Sequence, residues 1–195
     1  MDVTTFLEPT IDLKRIAEIL DGLGHEGRCH TVRTWSKHHQ EKIFEAAKGF
    51  RPLDLDFLVP SGKGALEEVI HDGQNTLPAF NRFQKRFVKL ESEGFPVGGY
   101  NHQSMERFTG PGYFGVTAGE GDHEGELVID YRQIPKSKPE AWPALRSNEG
   151  GIAGIVNGGM IDYLRGISEH VSIGVAFKDG QSRHQWFALV RQDPT

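Results

Sequence analysis

Residues 169–191 constrain this chain more tightly than any other stretch. Val171, Ile173, Val175 and Phe177 alternate with Ser172, Gly174, Ala176 and Lys178, the period of two that sends successive side chains to opposite faces of a strand. Asp179-Gly180 comes next, a strong turn signal, because glycine takes the positive φ of a tight hairpin. A second run, Arg183 to Arg191, completes an antiparallel hairpin. One face of its first strand is bulky and the other nearly bare. Such a strand suits a curved sheet, where small side chains leave room for a ligand.

The 195 residues suffice for one domain with its own core. Only 37% are hydrophobic, but 12 Phe and 3 Trp set the chain apart from disordered sequences. A formal charge of −5 argues against nucleic acid as a partner. The single cysteine, Cys29, excludes an intrachain disulfide and fits a reducing compartment. Residues 1–5 lack the basic and apolar pattern of a signal peptide, and no run has the length of a transmembrane segment. The expectation is a soluble, cytoplasmic protein.

Glycine divides the chain: seven of 24 lie in residues 1–93 and seventeen from Gly94 onward. The first part reads as a mainly helical covering segment and residues 94–195 as short strands with glycine turns, together one domain over 1–195. Leu13, Ile16, Ala17 and Leu20 predict a helix capped by Thr10 or Asp12 and ended by Gly22 and Gly24. Ser36 caps a second helix, Lys37 to Lys48, with Gly49 as its stop. Residues 29–35 read as an irregular connection, 53–59 as an edge strand or extended segment, and 66–72 as strand or helical turn. After Pro78, the spacing of Phe80, Phe83, Phe87 and Leu90 predicts a helix with Arg82, Lys85, Arg86 and Lys89 on its other face. Strands are expected at 112–118, 126–134, 151–156 and 160–167, before the final hairpin. The fold class is therefore α+β, with N-terminal helices packed on an antiparallel, strongly curved sheet or β-barrel.

No motif dictates a reaction. Ser61-Gly62-Lys63-Gly64 lacks the upstream glycine and the following Ser/Thr of a phosphate loop. No His-Glu-x-x-His occurs among the nine histidines, and no metal or cofactor is expected. Cys29 beside His30 has no nucleophile-elbow context. The basic, Phe-containing stretch 82–89 suits a solvated amphipathic face, or a docking face for an anionic partner. The strongest constellation is Gly98-Gly99-Tyr100-Asn101-His102-Gln103 with Thr109 to Gly115, which includes Tyr113. Glycines there permit close approach, while the Tyr, Asn and His tips orient a ligand at a barrel mouth. Asp130 and Arg132 share a strand face with Val128, opposite Leu127, Ile129 and Tyr131. Inside a barrel they would require partners; outside they are solvated charges. Asp162 and Arg165 carry the same ambiguity.

Tyr113-Phe114-Gly115-Val116, Val128-Ile129-Asp130-Tyr131, Met160 to Arg165 and Ser172-Ile173-Gly174-Val175-Ala176-Phe177 together resemble small lipocalin-like (calycin-type) barrel proteins over residues 98–191. That resemblance implies antiparallel strands wrapped around an apolar cavity. The helical first half has no counterpart in a minimal barrel of this kind, and it is expected to cover one end.

Three functions follow as expectations. The first is a carrier or sensor for a small apolar or lipid-like ligand, bound by Tyr100, Asn101, His102, Tyr113, Asp130, Arg132 and Trp186, with aromatic support from residues such as Phe108. The second is an isomerase, cyclase or lyase acting in the same cavity, with Tyr100, His102 or Tyr113 as acid or base. The third is a non-catalytic interaction domain that docks through its first 93 residues.

Overall fold

The computed structural model describes residues 10–79, 81–91, 93–103, 110–148 and 158–193. Helices α1 (Leu13–Asp21), α2 (His25–Arg33), α3 (Lys37–Ala46) and the single turn α4 (Leu55–Leu58) precede strands β1 (Val69–Asn75), β2 (Arg82–Lys89), β3 (Val97–His102), β4 (Phe114–Ala118), β5 (Leu127–Asp130), β6 (Met160–Gly166), β7 (Val171–Lys178) and β8 (Gln181–Arg191). Each strand pairs antiparallel with the next, and β8 pairs with β1, closing an eight-stranded barrel. The fold is α+β, with N-terminal helices on a closed antiparallel barrel. Among the described residues, closure leaves no sheet edge for another chain to extend.

Local chemistry sets the helices. The Asp12 carboxylate accepts from Arg15 N at 2.9 Å and caps α1. Ser36 caps α3 through the His39 amide, while His39 Nδ1 accepts from Ser36 N. These contacts satisfy amides that a helix start leaves without partners. The apolar faces of α1–α3 bring Ile16, Leu20, Val32, Ile43 and Phe44 onto Val171, Ile173, Val175, Trp186, Ala188 and Val190, the outer faces of β7 and β8. Burial of each large aliphatic side chain contributes about 1.5–3 kcal/mol. Arg165 ties this layer down: its Nε donates to Glu126 Oε1 at 2.7 Å, its NH1 donates to the Phe44 carbonyl, and its guanidinium lies 3.8 Å from the centre of the Phe44 ring.

The bare face of β7 points into the barrel. Gly174 is paired with Phe187, whose ring lies across it; a Cβ there would sit 2.7 Å from Phe187 Cε2. Phe83 covers Gly73 and Phe114 covers Gly99 in the same manner, each with a ring atom 2.6 Å from where a Cβ would be. The room that the small residues leave is thus largely taken by rings of this chain. α4 closes one end, where Leu53, Phe57, Leu58 and Val59 join Val69, Phe87, Val97 and Val116 in the interior core.

Several elements differ from the sequence reading. Residues 82–89 form strand β2, not a helix: Phe83, Lys85 and Phe87 point inward, and the inward lysine hides the alternation. Residues 25–33 form helix α2, so Cys29–Arg33 are helical rather than irregular. The 53–59 segment contains the Asp54-capped turn α4 instead of a strand. The 66–72 ambiguity resolves into β1. β1 and β2 lie within residues 1–93 and complete the barrel. The final hairpin turns at Asp179 (φ 53°) and Gly180 (φ 76°), as its sequence predicts. The expected strand at 151–156, with Phe80, Phe108 and Thr109, lies outside the described residues.

Candidate functional site

At the end of the barrel opposite α4, a cavity of about 150 Å³ is lined by Leu77, Phe83, Met160, Ala176, Trp186 and Phe187, with Asn75, Gln103 and Gln185 also in its wall. Lys85, Asn101, Tyr131 and Asp162 complete the lining. Neighbouring strands place these four groups. Lys85 is opposite Asn101 across β2–β3; Asp162 is opposite Ile129 across β5–β6, and Tyr131 follows β5.

Lys85 and Asp162 are buried, with side chains only 2% and 3% exposed, and their Nζ–Oδ2 distance is 3.1 Å. Lys85 Nζ also donates to Tyr131 Oη at 2.5 Å and to Asn101 Oδ1 at 3.0 Å. All three ammonium hydrogens therefore have an acceptor. Tyr131 Oη in turn accepts from Asn101 Nδ2 at 2.9 Å and donates to Asp162 Oδ2 at 3.2 Å. Phe114, Tyr131, Phe187 and Phe83 surround the cation, with ring centres 4.8, 5.0, 5.1 and 5.9 Å from Nζ. Their negative ring faces support a charge removed from water. Three of those rings are the ones seated on inward glycines. Asp162 Oδ1 is buried and has no hydrogen-bond partner among the described residues.

Burial pulls the Lys85 ammonium below its ordinary range, and Asp162 pulls it partly back. Burial raises the Asp162 carboxyl, opposed by Lys85. Burial, with the neighbouring Asp162 charge, holds the Tyr131 phenol well above its usual value. The Lys85 and Asp162 shifts both favour neutral forms. They narrow the free-energy gap between the ion pair and the state with the proton on Asp162.

Of the residues expected at a site, Asn101 and Trp186 border this cavity, Trp186 from a position on β8 whose side chain packs in the outer cluster beneath the helices. Tyr100, His102, Tyr113, Asp130 and Arg132 do not. Tyr100 and Tyr113 are buried with Trp142 in a separate outer cluster over β2–β4, and Tyr113 Oη donates to the Pro143 carbonyl at 2.6 Å. His102 lies edge-on to Tyr100. Asp130 and Arg132 pair with each other on the outer side of the barrel, through Arg132 NH2 and Asp130 Oδ2 at 2.8 Å. Asp162 takes the inward alternative and Arg165 the outward one. Lys85 was missed; its signal is the period of two in Phe83-Gln84-Lys85-Arg86-Phe87.

A larger hollow of about 380 Å³ lies on the outer surface between the 60–70 segment and residues 191–193. It includes the Ser61–Gly64 loop. Lys63 is paired with Glu67 at 2.6 Å, and Glu67 also accepts from Gly64 N, so carboxylate occupies the place a phosphate would need. The barrel cavity is smaller, but unlike this hollow it sits over the buried Lys85–Asp162 pair. Cys29 faces His25 rather than His30, and burial pushes its thiol up to about 11, the reverse of an activated nucleophile. Among the described residues, no helix is long and apolar enough to cross a membrane. Comparison with protein-family models, curated proteins and solved structures gave no match to this chain.

Proposed function

We propose that this protein binds one small, mostly apolar ligand at the open end of its barrel, as a carrier or sensor of lipocalin-like type. The observation that carries the reading is an aromatic and aliphatic cavity set over a buried, self-neutralised polar network. Apolar walls supply affinity, and a few convergent polar groups fix orientation. The Lys85–Asp162 pair has no net charge, which favours a neutral ligand. The partnerless Asp162 Oδ1 favours one that carries a hydroxyl or N–H donor. The cavity volume favours a compact ring or short chain over a long acyl tail.

Native mass spectrometry of the purified protein, paired with analysis of its organic extract, tests this. A discrete bound mass is expected, and Ala176→Phe, which fills the cavity, should displace it. Unliganded wild-type protein that also fails to bind an apolar fluorescent probe would overturn the reading.

The proton affinities of Lys85 and Asp162, moved toward each other by burial and bridged by Tyr131, favour a second reading. In it, the same cavity isomerises or eliminates from its ligand by proton transfer. Perturbed ionisable groups in a cleft are what acid–base chemistry needs. A recovered ligand whose mass or spectrum changes with time on wild-type protein, and not on Tyr131→Phe, separates catalyst from carrier.

A further inference from the structure

We propose that His25, Cys29 and Asp72 form a second site, which binds one divalent cation of the borderline-soft, zinc-like class where α2 crosses β1. The site is on the outer wall of the barrel and is independent of the cavity.

His25 and Cys29 are four residues apart on α2 and share one helical face. Asp72 occupies an outward position on β1, between inward His71 and Gly73. One ligand atom from each converges: His25 Nε2 is 2.9 Å from Asp72 Oδ2 and 3.4 Å from Cys29 Sγ, and all three atoms lie within 4.8 Å of one another. Tetrahedral zinc bonds of about 2.0–2.1 Å to nitrogen and oxygen and about 2.3 Å to sulfur place such atoms roughly 3.3–3.6 Å apart.

One ring nitrogen faces two partners with opposite needs. Protonated, Nε2 donates to Asp72 and gives the thiol hydrogen no acceptor there. Deprotonated, it accepts from the thiol and turns a lone pair on the carboxylate. A cation among the three satisfies nitrogen, thiolate and carboxylate together, and its two positive charges balance the two negative ligands.

The surroundings suit that role. Gln84, opposite Asp72 across β1–β2, donates to Asp72 Oδ1 at 3.0 Å, and Gln192 donates to Oδ2 at 3.1 Å. Such outer contacts hold a ligating carboxylate in place. Asp193 fixes the start of α2 by accepting from His25 N and from the Arg28 guanidinium. A hollow of about 10 Å³, about the least that one water needs, borders Cys29 and Asp72 but not His25; a water there is the fourth ligand of the proposed site. Three mixed N, S and O ligands with one open position suit zinc better than a hard, oxygen-seeking ion.

The test titrates zinc chloride alone into the reduced, metal-stripped full chain, followed by calorimetry and native mass spectrometry. One ion per chain is expected. Cys29→Ser and His25→Gln should each weaken binding more than a hundredfold, and Gln84→Leu by about 10–100-fold, the range for outer-shell partners. Cobalt(II) in the wild-type chain should give a thiolate charge-transfer band and a tetrahedral visible spectrum. That readout decides the matter without variants if these do not fold. No stoichiometric uptake, binding unaltered in Cys29→Ser, or cobalt without the thiolate band would each overturn the proposal.

Discussion

Lys85 shows how a single inward charge can organise a barrel. Its ammonium is saturated by three acceptors and ringed by aromatic faces, so removing it abandons a carboxylate in an apolar interior. Lys85→Met should destabilise the protein by about 3–5 kcal/mol. Lys85→Met with Asp162→Leu should recover most of that loss, because no buried charge remains. Urea unfolding of the two variants checks this, and equal losses in both would contradict it. His71 is a separate residue-scale device beneath the network. Its Nε2–H donates to the Leu58 carbonyl at 3.0 Å, and burial lowers its pKa to about 3. The folded state thus resists a proton that the unfolded chain takes up below about pH 6.5. His71 leaves stability unchanged above that pH and reduces it by about 1.4 kcal/mol per unit between 6.5 and about 3. Wild type should lose stability more steeply than His71→Leu over that window; parallel curves would refute the assignment. The short alternation in Phe83-Gln84-Lys85-Arg86-Phe87 is the one trace of the first role in the sequence, and it was outweighed by helical spacing. A lysine between two phenylalanines reads as the polar side of a helix, and only the closed barrel, with Asp162 brought from far along the chain, turns it inward. Asn101 and Trp186 were singled out by residue type, and the structure puts both beside the cavity, Trp186 with its side chain in the outer cluster. Tyr100 and Tyr113 have the same chemistry, but the strand register puts them outside.

At the scale of elements, glycine and phenylalanine act as pairs across strands. The seats at Gly73, Gly99 and Gly174 let Phe83, Phe114 and Phe187 lie flat inside the wall and converge near Lys85. Gly174→Ala drives a methyl group into the Phe187 ring and should cost about 1–3 kcal/mol, the usual range for overpacking. Phe187→Leu in that background should restore part of the loss while enlarging the cavity. Thermal unfolding of single and double variants measures the coupling, and simple additivity would show that the ring does not rest on this glycine. The β7–β8 hairpin was readable because its alternation is unbroken and its turn carries Asp179-Gly180. β2 and α4 were not, since a local pattern of three or four does not reveal whether a wall or a helix layer lies on each side. For Leu55–Leu58, the Asp54 cap decided the outcome over the alternation; the Asp54 carboxylate accepts from Phe57 N at 3.0 Å.

For the whole molecule, the decisive contact joins the first strand to the last. His71 to Asn75 pair with Phe187 to Arg191, although more than a hundred residues separate them along the chain. Residues 94–195 alone retain β3–β8 but lack the two strands that close the circle, leaving the β3 and β8 edges bare. That fragment should show no cooperative unfolding transition and should associate on concentration. A monomeric fragment that melts cooperatively would mean the barrel's second half is an independent unit. The same seam has a consequence for biogenesis. Strands emerge from the ribosome in order, so β1 must wait, with one side unzipped, until the more than one hundred residues that lead to β8 have been made. Co-translational folding can build the helices and a growing ribbon, but not the finished ring. The interval before β8 arrives is when this protein is most exposed to wrong partners and most dependent on a chaperone, and chains arrested just short of β8 should carry the largest chaperone load.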